Sequence, residues 1–347
     1  MTGGSECPSL PSAGVRPRGF SLAELPGEFE DWRAEARACR SEAALFDFSC
    51  LVTALVRGPD SARLLRAFCS RPIDDMEVGT IRYALTADDE GRLVSDVTIW
   101  RTDRKEFLVM TGRAEDLPAL RTFAVNVCGP GSRTEIIDRW ETTYVLALQG
   151  PAVAKRLCEN FGLSLPGRFR FVRTPLLGDD CLVAGIGYTG EEGVEILCGP
   201  DAAARLWSEC ATLARPAGFR AADLLRLEAG FPLFSRDFAP GVSAAEAGFS
   251  AIRGDARGSE PEVARIRAIA RPAMPGDPTL FVPSRTRPRA GQLAITSAAP
   301  CLDDGKALVM GYVRVEDVGK SPLHDPAGDF QDLRPIDSKG IPELRSG

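Results

Sequence analysis

Two stretches decide the fold of this chain: LVTALVRGPDSARLLRAF at residues 51–68 and TYVLALQGPAVAKRLCEN at residues 143–160. Each begins with a run of apolar and β-branched residues, passes through a Gly-Pro pair, and continues with apolar residues at helical spacing. This pattern predicts a strand, a turn and a helix in both places. The second stretch follows the first at a displacement of 92 residues, which we interpret as an internal duplication. The alternative is a chance match, because Gly-Pro turns between strands and helices are common.

The elements predicted after each stretch come in the same order, and this favours duplication over chance. A pair of strands is followed by a third strand and then by a helix. In the first copy these elements are expected at residues 81–85, 93–100, 107–111 and 115–127. In the second copy they are expected at residues 169–174, 181–187, 194–198 and 201–213. The predicted fold class is therefore α+β, with two pseudo-symmetric halves.

Composition divides the rest of the chain into segments. Gly, Ser and Pro predict a flexible leader at the start, and Gly, Pro and Arg predict a linker with a short helix near residues 262–270. Strands expected at residues 292–297 and 306–315 predict a small C-terminal β domain, followed by a poorly ordered polar tail. The predicted segments are a leader at 1–27, a first subdomain at 28–140, a second subdomain at 141–253, a linker at 254–289, a β domain at 290–320 and a tail at 321–347.

The composition excludes several kinds of catalytic site. The 347 residues include one histidine, His324, so a histidine-rich zinc site is excluded and histidine-based triads are disfavoured. Ten cysteines are spread along the chain without a C-x-x-C pair, which is typical of reduced cysteines in a cytosolic protein and predicts no metal site. Chemistry is therefore expected from carboxylates, tyrosine, arginine and a bound cofactor.

Charge and hydropathy point to a small-molecule ligand. The net charge of −6 and the pI near 5.2 give no support for binding to nucleic acid or to an anionic membrane. No part of the sequence approaches the run of about 18 apolar residues that a transmembrane helix requires. The start of the chain lacks an apolar stretch of signal-peptide length. The expected location is the cytoplasm.

The first candidate site residue is Glu195, in GIGYTGEEGVEIL at residues 185–197. Gly187, Gly190 and Gly193, three glycines within seven residues, predict a sharp turn. The strand that follows carries one carboxylate among apolar residues. A carboxylate in an apolar strand is costly unless it meets hydrogen-bond donors. A pterin or guanine ring offers a suitable pair of N–H groups, which a carboxylate can accept side by side. The alternative is a glutamate on a solvated face of the strand.

The second candidate is Asp96, in LTADDEGRLVSDVTIW at residues 85–100. It lies among apolar and β-branched residues, so it is either an outward-facing strand residue or an inward-facing catalytic acid or base. Tyr83 precedes it by thirteen residues across a predicted hairpin, which would make the two residues neighbours. The turn acids between them are expected to be solvated.

Several motifs together resemble a known family. LFDFS at residues 45–49, ALQGP at 147–151, GYTGEEGVE at 187–195 and ADLLRLEAG at 222–230 occur in the order and spacing of the aminomethyltransferases, the T-proteins of the glycine cleavage system. That family also includes the folate domains of sarcosine and dimethylglycine dehydrogenases and tetrahydrofolate-dependent demethylases. The resemblance covers residues 28–315 and is weaker towards its end.

The resemblance implies a fold, a cofactor and a set of site residues. The fold would be a pair of duplicated folate-binding domains followed by a small C-terminal β-barrel-like domain, and the cofactor would be tetrahydrofolate. Asp96 would be the catalytic residue near N5 of the folate, and Glu195 would hold the amino-pyrimidine edge of the pterin. Further cofactor-binding positions would be Tyr83, Tyr188, Arg226 and Thr111. For Arg226, a buried structural pair with Asp223 or Glu228 is an equal alternative.

Departures from the family pattern bear on the partner. Phe48 and Cys50 stand where T-proteins have Val and His, and Thr111 replaces an Asn, as in the sarcosine-type branch. These changes disfavour a partnership with the lipoyl carrier protein more than they disfavour folate binding. The expected function is a tetrahydrofolate-dependent methyl or aminomethyl transfer from a small-molecule one-carbon donor. The alternatives are the glycine cleavage aminomethyltransferase acting on the lipoyl carrier protein, and a non-catalytic folate-binding protein.

Overall fold

The computed structural model describes residues 8–14, 16–21, 23–129, 131–249, 265–272, 282–302, 306–320, 323–325 and 328–336. These residues form α-helices and three β-sheets, which confirms the α+β class. The helices are α1 Trp32–Ser41, α2 Ser61–Phe68, α3 Asp116–Cys128, α4 Val153–Phe161, α5 Pro200–Leu213, α6 Phe219–Glu228 and α7 Phe234–Asp237. The strands are β1 Ala44–Asp47, β2 Val52–Arg57, β3 Ile81–Ala87, β4 Leu93–Asp103, β5 Glu106–Thr111, β6 Glu135–Asp138, β7 Tyr144–Gln149, β8 Phe171–Leu176, β9 Asp179–Ala184, β10 Gly193–Cys198, β11 Arg215–Pro216, β12 Arg265–Pro272, β13 Leu293–Pro300, β14 Ala307–Arg314, β15 Leu323–Asp325 and β16 Gly328–Pro335.

Two of the sheets share one topology. Strands in the first sheet run in the order β3-β4-β5-β2-β6, and those in the second run in the order β8-β9-β10-β7-β1-β11. The two Gly-Pro turns are also equivalent. Gly58 and Gly150 have φ angles of 131° and 133°, and a Cβ on either one would lie 2.5 or 2.6 Å from a backbone carbonyl oxygen. Only glycine fits these positions, and the repeated topology confirms the duplication inferred from residues 51–68 and 143–160.

The described chain forms two compact units. Unit 1 contains residues 1–68, 72–82 and 97–222, and unit 2 contains residues 69–71, 83–96 and 223–347. This division differs from the subdomain boundaries expected at residues 140 and 253. The tip of the β3–β4 hairpin belongs to unit 2 because Leu85 and Leu93 pack in an apolar cluster with Phe238, Val242 and Phe249.

The core of unit 1 lies between the second sheet and its helices. Strands β7, β9 and β10 supply buried apolar residues that pack against α4 and α5, with Trp207 fully buried among them. Part of the segment expected to be a flexible leader packs here too. Leu10 is buried in this core, and Pro8 accepts a hydrogen bond of 2.7 Å from Nε1 of Trp207. The guanidinium of Arg16 stacks on the ring of Tyr144 at 4.3 Å. These side chains hold a stretch whose Gly and Pro content alone suggested mobility.

Unit 2 contains the third sheet, in the order β13-β14-β12-β16-β15. A parallel bridge between Gln292 and His324 joins its two edges, so the sheet is barrel-like, as expected. Strands β13 and β14 confirm the two predicted strands. Of the helix predicted near residues 262–270, residues 262–264 lie outside the described residues, and residues 265–270 are instead part of strand β12, because β14 and β16 pair with it on both sides. Strands β15 and β16 likewise form part of the sheet within the segment expected to be a poorly ordered tail.

Across the described residues, no helix has both the length and the apolar character needed to span a membrane.

Candidate functional site

Glu195 is a buried carboxylate with an unused oxygen. It lies in the middle of β10, where it pairs with Ala147 of β7 and Ala184 of β9, and 5% of it is exposed. Its Oε2 atom has no hydrogen-bond partner within the part of the chain that the structure describes. Burial raises the pKa of Glu195 to about 7. The alternative of a glutamate on a solvated face is therefore wrong, and Glu195 can accept a hydrogen bond from a bound ligand.

The glycine-rich turn before β10 carries Tyr188 and is held by a side chain from β7. Nε2 of Gln149 donates to the carbonyl oxygens of Ile186 and Val194, both at 3.2 Å, at the two ends of the turn. Oε1 of the same residue accepts a hydrogen bond from the hydroxyl of Thr189 at 3.1 Å. The half-buried Tyr188 thus lies between Ile186 and Thr189, which are both hydrogen-bonded to Gln149.

Sequence reasoning missed Gln149, although it quoted the ALQGP motif that contains it. A signal was present, because the motif ends an apolar strand with one polar residue that is fully buried in the fold. The three glycines after residue 185 were recognised as a turn, but nothing in their spacing indicates which distant side chain they accommodate. Pairing of β7 with β10 brings Gln149 opposite Gly193.

Tyr83 and Asp96 are brought together, as predicted for two residues across a hairpin. In unit 2, the Tyr83 hydroxyl donates a hydrogen bond of 3.0 Å to Oδ2 of Asp96. The ring of Tyr83 stacks on Phe249, with ring centroids 6.1 Å apart. Asp96 is half-buried, so it is neither a fully solvated strand residue nor a sealed core residue. A carboxylate held by a tyrosine at a partly open position can bind or move a proton.

Thr111 and Arg226 make local structural contacts. The Thr111 hydroxyl donates to Oδ2 of Asp116 at 2.5 Å, at the start of α3, and accepts from the backbone N–H of Arg113 at 3.1 Å. Arg226 is fully buried and pairs with Asp223 and with Asp237, both at 2.7 Å. Asp223 is one of the two structural partners that the sequence suggested, whereas Asp237 was not anticipated.

The remaining side chains that could bind a metal or act as nucleophiles are the cysteines and His324. Among the described residues, no group of three or more His, Cys, Asp or Glu side chains could hold a metal ion. Burial raises the pKa of the Cys39 and Cys50 thiols to about 12, which keeps both protonated at neutral pH. The His324 side chain is exposed on strand β15, with its Nδ1 atom 2.7 Å from Oδ1 of Asp329. Glu195 in unit 1, and separately the hydrogen-bonded pair of Tyr83 and Asp96 in unit 2, are thus the predicted site residues suited to chemistry.

Comparison with known proteins places the chain in a family. Residues 12–253 match the family model described as the GCVT N-terminal domain. An aminomethyltransferase of Rubrobacter xylanophilus is 35% identical over 243 residues, which are 68% of this chain and 64% of that protein. An aminomethyltransferase of Streptomyces coelicolor is 29% identical over 320 residues, which are 85% of this chain and 84% of that protein.

A solved structure shows the same fold. The glycine cleavage system aminomethyltransferase T from Bartonella henselae superposes with a TM-score of 0.72 at 21% identity, covering 98% of this chain and 99% of that one. The match to the family model starts before the residue 28 expected from the sequence motifs and covers both copies of the repeated unit. The aligned part of the chain spans just under two thirds of the Rubrobacter relative. Because the model of the GCVT N-terminal domain matches more than half of the chain, this chain belongs to the GCVT family.

Proposed function

We propose that this protein is a tetrahydrofolate-dependent one-carbon transferase that acts on a small-molecule donor. The observation that carries the proposal is the unpartnered Oε2 atom of Glu195, buried in β10 at the end of the family's glycine-rich turn. A buried carboxylate oxygen without a donor is costly, and a ligand that supplies the donor recovers that cost on binding. Glu195 therefore favours a ligand with closely spaced N–H groups.

The pterin ring of tetrahydrofolate fits this requirement. Its amino-pyrimidine edge carries a ring N–H beside an exocyclic amino group, and a carboxylate accepts such a pair in parallel. Glu195 would hold that edge, while Tyr188 would line the adjoining turn. When bound, tetrahydrofolate supplies N5 as the atom that receives the one-carbon unit. The protein then has to orient the reactants and manage charge and protons.

Asp96 and Tyr83 are suited to manage charge and protons. Asp96 would stabilise positive charge that develops on a reacting nitrogen, or accept its proton. Tyr83 holds the Asp96 carboxylate through the 3.0 Å hydrogen bond and would fix its orientation. Neither role needs a histidine.

A second candidate function is the aminomethyl transfer of the glycine cleavage system, with a lipoyl carrier protein as partner. The Rubrobacter and Streptomyces relatives are named aminomethyltransferases, which favours transfer of an aminomethyl group. Phe48 and Cys50, in place of Val and His, favour the small-molecule donor instead. The two candidates share the folate site and differ in what delivers the one-carbon unit.

Calorimetric titration with tetrahydrofolate tests the shared part of the proposal. We expect saturable binding with one site per chain, and an absence of binding would overturn the proposal. The donor is then identified by incubating the protein and tetrahydrofolate with methylated amines, sulfonium compounds or methyl ethers, and detecting 5-methyl-tetrahydrofolate together with the demethylated donor. A parallel incubation with aminomethyl-lipoyl carrier protein, scored by release of ammonia, decides for the second candidate. Binding without turnover in any arm would indicate a non-catalytic folate-binding protein.

A further inference from the structure

We propose that Gln149 is a positioning residue, which sets the shape of the turn at residues 187–193 and through it the placement of Tyr188 and Glu195. Its effect on ligand binding rests on the proposed function, whereas its effect on the turn does not. A glutamine amide has two donor hydrogens and an acceptor oxygen, so one buried side chain can bridge several backbone groups. The arrangement around Gln149 uses both its donor and its acceptor atoms.

Three of the four contacts of the Gln149 amide are with the turn and its two ends; the fourth is from Nε2 to the carbonyl oxygen of Leu148 in β7, at 3.1 Å. Its Nε2 atom donates to the carbonyl oxygens of Ile186 and Val194, which come just before and just after the three-glycine segment. Its Oε1 atom accepts from the hydroxyl of Thr189, near the middle of the segment. Thr189 in turn accepts from the backbone N–H of Glu191 at 3.3 Å. The entry, the middle and the exit of the turn are thus tied to one side chain from another strand.

Two glycines of the turn lie close to this side chain. A Cβ at Gly187 would lie 1.8 Å from Oε1 of Gln149, and a Cβ at Gly193 would lie 2.8 Å from its Nε2 atom. A Cβ atom does not come this close to other heavy atoms in real structures, so any side chain at residue 187 would displace the Gln149 amide. Gly187 therefore leaves room for Gln149, whereas Gly193 is required mainly by the backbone of β7, because its Cβ would lie 2.1 Å from the carbonyl oxygen of Leu148.

The contacts between Gln149 and the turn determine where Glu195 lies. Gln149 pairs with Gly193 in the β7–β10 register, and Glu195 follows two residues later, opposite Ala147. A side chain changes faces when a strand shifts by one residue, so a relaxed turn that allowed such a slip would turn the Glu195 carboxylate away from its present face. Anchoring Val194 and Ile186 to Gln149 opposes that slip. A buried amide left without these contacts would be costly, which gives the anchor its strength.

Hydrogen–deuterium exchange and folate affinity test the proposal on Gln149→Met, which keeps the length of the side chain and removes its hydrogen bonds. We expect amides between residues 186 and 194 to exchange at least tenfold faster than in the wild type, while β9 is unchanged. The Kd and KM for tetrahydrofolate should rise at least tenfold, with kcat at saturation within about threefold of the wild type. Ser49→Ala is the matched control, because Ser49 is fully buried and accepts a hydrogen bond of 3.0 Å from Val145 at the other end of β7.

The control should lower the midpoint of urea unfolding without changing the affinity or the local exchange. Equal affinity in Gln149→Met and the wild type, or exchange that increases evenly across unit 1, would overturn the proposal. If the wild type binds no tetrahydrofolate, the proposed function fails, and the exchange experiment still decides the role of Gln149.

A second pair of variants distinguishes the steric effect of the Gln149 side chain from the effect of its hydrogen bonds. Gly187→Ala should lower both the unfolding midpoint and the folate affinity, because its Cβ displaces the amide. Adding Gln149→Ala removes the clash, so the double variant should unfold at the same urea concentration as Gln149→Ala alone, while its affinity stays low. Recovery of the affinity in the double variant would show that Gln149 matters only as an obstacle, and would contradict the proposal.

Discussion

The hydroxyl of Tyr83 and the carboxylate of Asp96 form a hydrogen bond of 3.0 Å between two adjacent strands of one hairpin. The tyrosine ring is held in turn by stacking on Phe249. Asp96 consequently has a fixed neighbour on one of its oxygens while remaining half-buried. A carboxylate that is oriented by a neighbour loses less conformational freedom when it meets a reacting group.

Replacement of Asp96 by asparagine tests its proposed catalytic role. Asparagine retains the shape and can still accept from Tyr83, but it can neither take a proton nor carry a negative charge. We expect kcat for one-carbon transfer to fall by about 10²-fold or more, with the affinity for tetrahydrofolate within about threefold of the wild type. The control is Asp89→Asn, at an exposed position in the same hairpin, which should retain full activity. Full activity in Asp96→Asn would refute the assignment.

Tyr83→Phe isolates the hydrogen bond from the ring. Phenylalanine keeps the stacking on Phe249 and removes the hydroxyl that orients Asp96. A hydrogen bond to a charged group contributes about 1.5–3 kcal/mol, so we expect kcat to fall by about 10-fold to about 150-fold. Steady-state kinetics of Tyr83→Phe, Asp96→Asn and the double variant measure the coupling. Losses that simply multiply in the double variant would mean that Tyr83 does not act through Asp96.

Glu195→Gln should change the dependence of ligand affinity on pH. Burial raises the pKa of Glu195 from its ordinary 4.5 to about 7 in the free protein. Because N–H donors favour the ionised form, affinity for tetrahydrofolate should rise as pH increases from 6 to 8, and binding below pH 7 should release a proton. Calorimetry in buffers with different ionisation enthalpies measures that proton. The glutamine variant should bind weakly with no release, and an unchanged profile would exclude Glu195 as the ligand contact.

The same substitution should stabilise the free protein at neutral and alkaline pH. A carboxyl whose pKa is higher in the folded state than in the unfolded state stabilises the fold fully below about 4.5, and this stability is lost as pH rises through about 7. The shift corresponds to at most about 3 kcal/mol at 1.36 kcal/mol for each unit. Urea unfolding of the two proteins should therefore agree near pH 4.5 and diverge by pH 8, with Glu195→Gln the more stable. A constant difference across this range would show that Glu195 is not desolvated.

Local sequence patterns account for much of the fold and for part of the candidate site. Repetition of the strand, Gly-Pro turn and helix predicted both the duplication and its two similar sheets. Glu195 and Asp96 were recognisable because a carboxylate in an apolar strand is energetically unusual. Residues that act through distant contacts were not recognisable. Gln149 became significant only through its register with Gly193, and this pairing joins residues 44 positions apart.

Elements stabilised by their neighbours were also missed. The sequence RIRAIARP favours a helix by local propensity, but pairing on both sides makes it strand β12. Residues 8–14 and 16–21 have the composition of a loop, and they are held by the burial of Leu10 and the stacking of Arg16 on Tyr144. Tertiary contacts override local preference in both cases.

Leu10→Ala measures how much the packed start of the chain contributes to unit 1. Leu10 is 5% exposed in the cluster that contains Trp207, and its truncation leaves a cavity. Loss of a buried leucine side chain costs about 2–5 kcal/mol, and we expect the lower end because the segment can adjust. The exposed neighbour Ser9→Ala is the control and should unfold at the wild-type urea concentration. Identical unfolding of Leu10→Ala and the wild type would mean that the segment does not contribute to stability.

Asp237 should be the most sensitive position in the buried network around Arg226. Asp237 is fully buried and accepts hydrogen bonds from Nη1 of Arg226 and the backbone N–H of Leu233, both at 2.7 Å, and from the hydroxyl of Ser297 at 2.8 Å. Asp237→Asn removes the negative charge and places amide hydrogens among donors.

Breaking a buried ion pair typically costs about 3–5 kcal/mol. We expect the lower end of this range, because Asp223 still pairs with Arg226 in the variant. Asp223→Asn alters the more accessible partner, at 13% exposure, and should cost less. The free energy of unfolding in urea compares the two variants. Equal losses would show that the two carboxylates share the charge of Arg226 evenly. A larger loss in Asp237→Asn identifies Asp237 as the residue that keeps Arg226 in the fold, since it also fixes Leu233 and Ser297.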